Sequence, residues 1–125
     1  MTDRTVPPFA LTAARTAAGT LTLVLCGDLD YDSSDEFLRS ATGHLEALPG
    51  LRHLHLDCTR VAGFDSTALS ALLMLHRRTA AVGTQLHLDH RPPGMQRVLE
   101  ITGTLDHLTG RPADASENTR DRSSS

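Results

Sequence analysis

Leu54-His55-Leu56-Asp57-Cys58 leads through Thr59-Arg60-Val61-Ala62-Gly63-Phe64 to Asp65-Ser66-Thr67, and from there into Ala68-Leu69-Ser70-Ala71-Leu72-Leu73-Met74-Leu75. The first segment alternates apolar and polar residues, the period of a half-buried strand. The last is an apolar run of helical character. Residues 59–64 read as a loop between them, and Asp65-Ser66-Thr67 as the hinge where the helix begins. A strand feeding a helix is half of a strand-helix-strand unit, so the stretch points to a parallel sheet with helices packed on it. It also puts a serine hydroxyl at a helix N-terminus. Free N–H groups and the helix dipole there favour an anion, including a phosphate added to the serine itself.

The pattern extends in both directions. Residues 9–14 form a short strand candidate, and Ala17-Ala18-Gly19 a turn. Leu21-Thr22-Leu23-Val24-Leu25-Cys26 is a strand, with leucines on one side and Thr22, Val24 and Cys26 on the other. Ser33 followed by Glu36 has the form of a capping box. Behind it Phe37 or Leu38, Ala41, Leu45 and Leu48 recur at helical spacing until Pro49-Gly50 stops them. The strand at residues 51–58 is followed by a helix from about Ser66 to Val82, with Gly83 at C′. On that helix Leu69, Leu72, Leu73, His76 and Ala80 make the inward stripe. Thr67, Ser70, Met74, Arg77 and Arg78 point outward. Residues 85–90 form a further strand. Pro92-Pro93-Gly94 opens a third helix with Met95, Val98 and Leu99 inward, and Gly103 ends it. Residues 104–108 read as a last edge strand.

The order is β-β-α-β-α-β-α-(β), an α/β domain with a mixed, mostly parallel sheet of four to five strands. Parallel strands covered on both faces are apolar on both. Here one face carries His53, His55, Gln85, His87 and Asp89. Helices are therefore expected mainly on one side, leaving an open sheet face on the other.

Composition narrows the function. The 125 residues suit one domain, assigned to residues 9–108, with a flexible N-terminus at 1–8 and a disordered, serine-rich tail at 109–125. The formal charge of −3 provides no basic footprint, so nucleic acid is not an expected partner. No run approaches the roughly 18 apolar residues of a membrane helix. No signal-peptide core precedes residue 9, and the expected location is the cytoplasm. Cys26 and Cys58 lack metal-ligand spacing and read as buried thiols in a reducing compartment.

No enzyme is expected. Phosphate-loop and dinucleotide fingerprints are absent, and Phe64-Asp65-Ser66-Thr67-Ala68 lacks the glycines of a nucleophile elbow. Neither a cofactor nor a metal is expected. Asp28, Asp30 and Asp57 at strand ends suit capping and solvation better than magnesium. His53, His55 and His87 invite a zinc or pH-sensing idea, against solvent-facing strand positions filled by a mildly polar residue. By itself Asp65-Ser66-Thr67 reads as an N-cap, with either Asp65 or Ser66 as the cap.

Gly27-Asp28-Leu29-Asp30 after a strand, together with the stretch from Leu56 to Leu69, resembles the STAS family, and within it the bacterial anti-sigma factor antagonists. The resemblance covers residues 9–108. It implies a partner switch. In such proteins the serine after the aspartate is phosphorylated by an anti-sigma factor, a serine kinase of histidine-kinase-like ATPase fold. The unmodified antagonist binds that kinase and frees the sigma factor, and a PP2C-type phosphatase restores the unmodified form. Ser66 falls on the phosphorylated position, with Thr67 as the alternative acceptor. Asp65 and Asp30 fall on the motif aspartates. The partner surface is then Asp30, Asp65, Thr67, Ser70, Met74, Arg77 and Arg78. The second reading is a STAS-type scaffold or sensor subunit, whose His-rich face binds a ligand, a metal or another copy of the domain as a homodimer. Two departures stand out: Ala68 replaces a common glycine, and no amphipathic last helix is visible in residues 111–125.

Overall fold

The computed structural model describes residues 9–108. The readings of residues 1–8 and 109–125, including the missing last helix, lie outside the described residues.

Eight elements follow in order: β1 (Ala10–Ala17), β2 (Thr20–Leu29), α1 (Ser34–Ala47), β3 (His53–Phe64), α2 (Ser66–Ala81), β4 (Gln85–Asp89), α3 (Pro93–Ile101) and α4 (Leu105–Leu108). The sheet order is β1-β2-β3-β4. β1 runs antiparallel to β2, and β2, β3 and β4 are parallel. The β1–β2 hairpin turns at Gly19, whose φ of 78° suits glycine. Its carbonyl accepts from the N–H groups of Arg52 (2.9 Å) and His53 (3.0 Å), tying the hairpin to the start of β3.

The leucines of the alternating strands make one core. Leu21, Leu23, Leu25, Leu54, Leu56, Leu86 and Leu88 are buried on one face of the sheet. Phe37, Ala41 and Leu45 of α1, Leu69, Leu72 and Leu75 of α2, and Met95 and Leu99 of α3 pack into the same cluster. Each large apolar side chain buried here contributes about 1.5–3 kcal/mol relative to exposure. Thr22, Val24, His53, His55, Asp57, His87 and Asp89 stand half-buried on the opposite face. The expected helices on one side and open face on the other are both present.

The structure departs from the sequence reading in five places. Residues 59–64 are strand, not loop, because β3 continues to Phe64. Its pairing with β2 slips once between Val24 and Cys26 and again between Gly27 and Asp28. Each bulge inserts a residue and breaks the inside–outside alternation. Residues 104–108 do not form a fifth strand. Leu105 and Leu108 are three apart, a helical spacing, and the Leu108 N–H donates to the Thr104 carbonyl (2.9 Å). Ser33 precedes α1 but makes no side-chain cap bond, so the capping box does not form. The buried side of α2 is Ala68, Leu69, Ala71, Leu72, Leu75 and Thr79, whereas Ala80 is exposed and Leu73 and His76 are half-buried. Cys26 lies half-exposed on the open face; only Cys58 is buried, and both are free.

Candidate phosphoacceptor and docking site

β3 delivers Asp65 to the N-terminus of α2 in an extended conformation, φ −118° and ψ −175°. Asp65, not Ser66, is the N-cap. Its Oδ1 accepts from the Ala68 N–H at 2.9 Å. Its Oδ2 accepts from the Tyr31 N–H at 3.1 Å, across to the loop that leaves β2. The first helical hydrogen bond runs from the Leu69 N–H to the Asp65 carbonyl at 3.0 Å. The N–H groups of Ser66 and Thr67 precede it and belong to the unsatisfied first turn of a helix.

Ser66 is the first helical residue, and it and Thr67 are both exposed. Among the described residues the Ser66 hydroxyl has no hydrogen bond that would hold it back. Both oxygens of the neighbouring Asp65 carboxylate are already engaged. The geometry therefore offers a free hydroxyl beside backbone donors, at the positive end of a sixteen-residue helix.

Ser33 organises the facing loop. Its hydroxyl donates to the Asp28 carbonyl (2.8 Å) and accepts from the Asp30 N–H (3.0 Å). The Asp30 carboxylate accepts from the Asp32 N–H at 3.0 Å. Pairing of Asp28 with Gly63 and of Leu29 with Phe64 puts Asp30 level with Asp65. Asp28, Asp30, Asp32 and Asp65 thus gather at the C-terminal ends of β2 and β3, as expected. Gly63 serves this approach: a Cβ there would stand 2.9 Å from the Asp28 carboxylate oxygen.

Along α2, Thr67, Ser70, Met74, Arg77 and Arg78 are all exposed. Their spacing places them on a continuous outward strip. Arg77 is eleven residues beyond Ser66, about 16 Å along the axis, too far to touch a group on that hydroxyl. Sequence reading missed Tyr31, which is 72 % exposed beside Asp65. Its signal was a lone tyrosine between aspartates at a strand-to-helix loop.

On the open sheet face three imidazoles meet. His53 Nδ1 lies 3.0 Å from His87 Nε2, and His55 stacks on His87 with ring centroids 4.3 Å apart. His55 Nδ1 pairs with Asp89 Oδ2 at 2.8 Å. Burial, then the charges that His55 and His53 would carry, hold the His87 pKa below the usual imidazole value. Among the described residues no group of three or more potential ligands is placed to hold a metal ion. No helix there is long and apolar enough to cross a membrane.

Solved structures share this fold at low identity. The anti-sigma factor antagonist SpoIIAA in its unphosphorylated form superposes with a TM-score of 0.67 at 16 % identity, covering 90 % of each chain. The phosphorylated form of SpoIIAA, the Bacillus cell fate determinant, gives 0.62 at 17 % identity, over 90 % of this chain and 93 % of that one. An anti-sigma factor antagonist from Mycobacterium paratuberculosis gives 0.64 at 17 % identity, over 82 % and 83 %. No curated protein matches the sequence. Residues 12–110 match the family model described as Mlab, STAS domain, and the chain belongs to the STAS domain family.

Proposed function

We propose that this STAS domain is an anti-sigma factor antagonist, switched by phosphorylation of Ser66. The observation that carries the reading is the free, exposed Ser66 hydroxyl at the start of α2, behind the Asp65 cap and next to an exposed strip of one helix. The partner is an anti-sigma factor serine kinase of histidine-kinase-like ATPase fold. It docks on Asp30, Asp65, Thr67, Ser70, Met74, Arg77 and Arg78. Methionine and arginine are enriched in such contacts.

In the transfer step the Ser66 oxygen attacks the γ-phosphorus of ATP held by the kinase. The bond from that phosphorus to the bridging oxygen of ADP breaks, and the hydroxyl proton passes to a base of the kinase. A PP2C-type phosphatase reverses the state: water attacks phosphorus and inorganic phosphate leaves. The phosphate adds about −1.5 to −2 charges to a cluster that already holds Asp28, Asp30, Asp32 and Asp65. Repulsion and bulk at that spot release the kinase. SpoIIAA, a fold relative, has been solved in both phosphorylated and unphosphorylated forms, which supports the reading.

Pull-down of a histidine-kinase-like anti-sigma factor from the same genome tests it. Ser66→Ala is expected to hold the partner in the presence of ATP, and Ser66→Asp to lose it. Equal retention by both variants overturns the switch. The imidazole cluster favours a second reading, a scaffold or sensor that binds through its open face. In that case His53→Ala with His55→Ala abolishes partner binding and the Ser66 variants do not.

A further inference from the structure

Tyr31 follows β2 as Ser66 follows β3. Leu29 and Phe64 are partners in the parallel register of those strands, and Tyr31 and Ser66 are each the second residue beyond that pair. Neighbouring strands lie about 4.8 Å apart. The Tyr31 N–H donates to Asp65 Oδ2 at 3.1 Å, which pins the tyrosine against the residue that precedes Ser66. An aromatic residue and the acceptor serine therefore share one edge of the molecule, at the carboxyl ends of adjacent parallel strands. Open α/β sheets present their binding sites there.

Exposed apolar side chains scattered singly are ordinary. Val82 at 63 % and Ile101 at 76 % exposure are such cases, at the C-terminal ends of α2 and α3. Tyr31, the lone tyrosine of a chain without tryptophan, differs in its seat. Every backbone N–H from Asp30 to Ser34 is bonded. Besides the Tyr31 bond, the Asp30 N–H donates to Ser33 Oγ at 3.0 Å and the Asp32 N–H to Asp30 Oδ1 at 3.0 Å. The N–H groups of Ser33 and Ser34 donate to the Asp30 carbonyl at 3.1 and 2.8 Å. Ser33 and Ser34 are themselves buried, so the loop is seated on the domain. Its backbone is thus fixed on both sides of a side chain that is 72 % exposed. A ring held out on a fixed backbone has only its own side-chain torsions left to order, and little conformational entropy is lost when a partner covers it.

We infer that Tyr31 is the anchor of the kinase interface: its ring fills an apolar pocket that the kinase presents beside its phosphoryl-transfer site while Ser66 is held there. The role presupposes a kinase that takes Ser66 as its substrate, as proposed above, and adds to that docking surface the residue that seats the partner. Tyrosine is among the side chains that carry most of the binding energy where a partner desolvates them. The occupant is the kinase because the Asp65 bond keeps Tyr31 within the area that a protein must cover to reach the Ser66 hydroxyl. The ring makes the same contact before and during transfer, so it contributes to binding and not to the chemical step.

Phosphorylation kinetics and equilibrium binding with the purified histidine-kinase-like anti-sigma factor from the same genome test this, with the full chain as wild type, Tyr31→Ala and Tyr31→Phe. Both variants keep the backbone N–H that bonds Asp65. Tyr31→Ala is expected to raise Kd and KM at least about tenfold, with kcat within about twofold of wild type. Tyr31→Phe keeps the ring and is expected to stay within about threefold of wild type in all three. Wild-type Kd and KM in Tyr31→Ala, with Ser66 still phosphorylated, overturn the anchor alone. A fall in kcat at unchanged KM also overturns it, since Tyr31 would then arrange the acceptor instead of seating the partner. Tyr31→Phe as weak as Tyr31→Ala overturns the apolar pocket. A wild-type chain that is neither bound nor phosphorylated overturns the kinase reading and the anchor together.

Discussion

The Asp65 carboxylate joins two segments that are 34 residues apart: one oxygen caps α2 through Ala68, and the other holds the Tyr31 N–H of the β2–α1 loop. The turn that carries Ser66 and the facing loop are therefore tied together through one side chain. A residue that looks like an ordinary helix cap sets the shape of a surface.

Asp65→Ala removes both bonds. Loss of an N-cap costs about 0.5–2 kcal/mol, and the urea midpoint is expected to fall accordingly. Amide exchange at Tyr31 should quicken beyond what global stability explains. Asp65→Asn retains one acceptor oxygen and is expected to fall between wild type and alanine. A Tyr31 amide that exchanges at the wild-type rate in Asp65→Ala contradicts the coupling.

Ser66→Asp is expected to leave the fold intact. A negative charge in the first turn of a helix is stabilising by about 0.3–1 kcal/mol, and the nearby carboxylates oppose it. The net change in unfolding free energy should stay within about 1 kcal/mol. Urea unfolding checks this. A loss of several kcal/mol would mean that a negative charge at residue 66 disrupts the domain rather than altering its surface.

Much of this arrangement was legible in the residues. The alternating leucines of β2, β3 and β4 identified the core face, and Asp65-Ser66-Thr67 after a strand located the start of α2. Two bulges hid the second half of β3: once an extra residue enters, Thr59 and Arg60 are exposed in succession and the period of two disappears. α4 was hidden by its length, since four residues show no clear period. Ser33 failed as a cap for another reason. Its hydroxyl oxygen accepts instead from the Asp30 N–H at 3.0 Å, while its proton goes to the Asp28 carbonyl at 2.8 Å. On α2 the inward stripe was read along Leu73 and His76, yet Leu75 and Thr79 are the buried pair. A choice between adjacent residues depends on how the helix is rotated against its neighbours. The Tyr31–Asp65 bond, spanning two loops, has no local pattern at all.

The cysteines should separate by reactivity. Burial, and then the nearby Asp57 charge, push the Cys58 thiol up to about 12, whereas Cys26 is half-exposed on the open face. The thiolate is the reactive form. Titration with an aromatic disulfide reagent at pH 8 is expected to modify one thiol quickly in the native protein, and the second only on denaturation. Cys26→Ser should abolish the fast phase. Fast modification persisting in that variant would contradict the burial of Cys58.

The imidazole cluster gives the domain a pH dependence of definite sign. His87 faces His55 and His53 from β3, with Asp89 on its own strand, and its folded pKa lies below the ordinary value near 6.5. Burial is the first cause, and repulsion from the two other imidazoles follows; Asp89 opposes them. Between the folded and unfolded pKa values the unfolded chain binds more protons, so stability rises with pH across that window. The contribution is fully present above about pH 6.5, falls as the pH drops below it, and levels off below the folded pKa. His87→Gln removes the titrating group from both states. The difference in urea midpoint between wild type and His87→Gln, followed from pH 7.5 to 5, is expected to shift against the wild type as the pH falls. A difference constant with pH, or one that favours the wild type more at low pH, would mean that the cluster accepts a proton readily and that His87 is not the group that resists it.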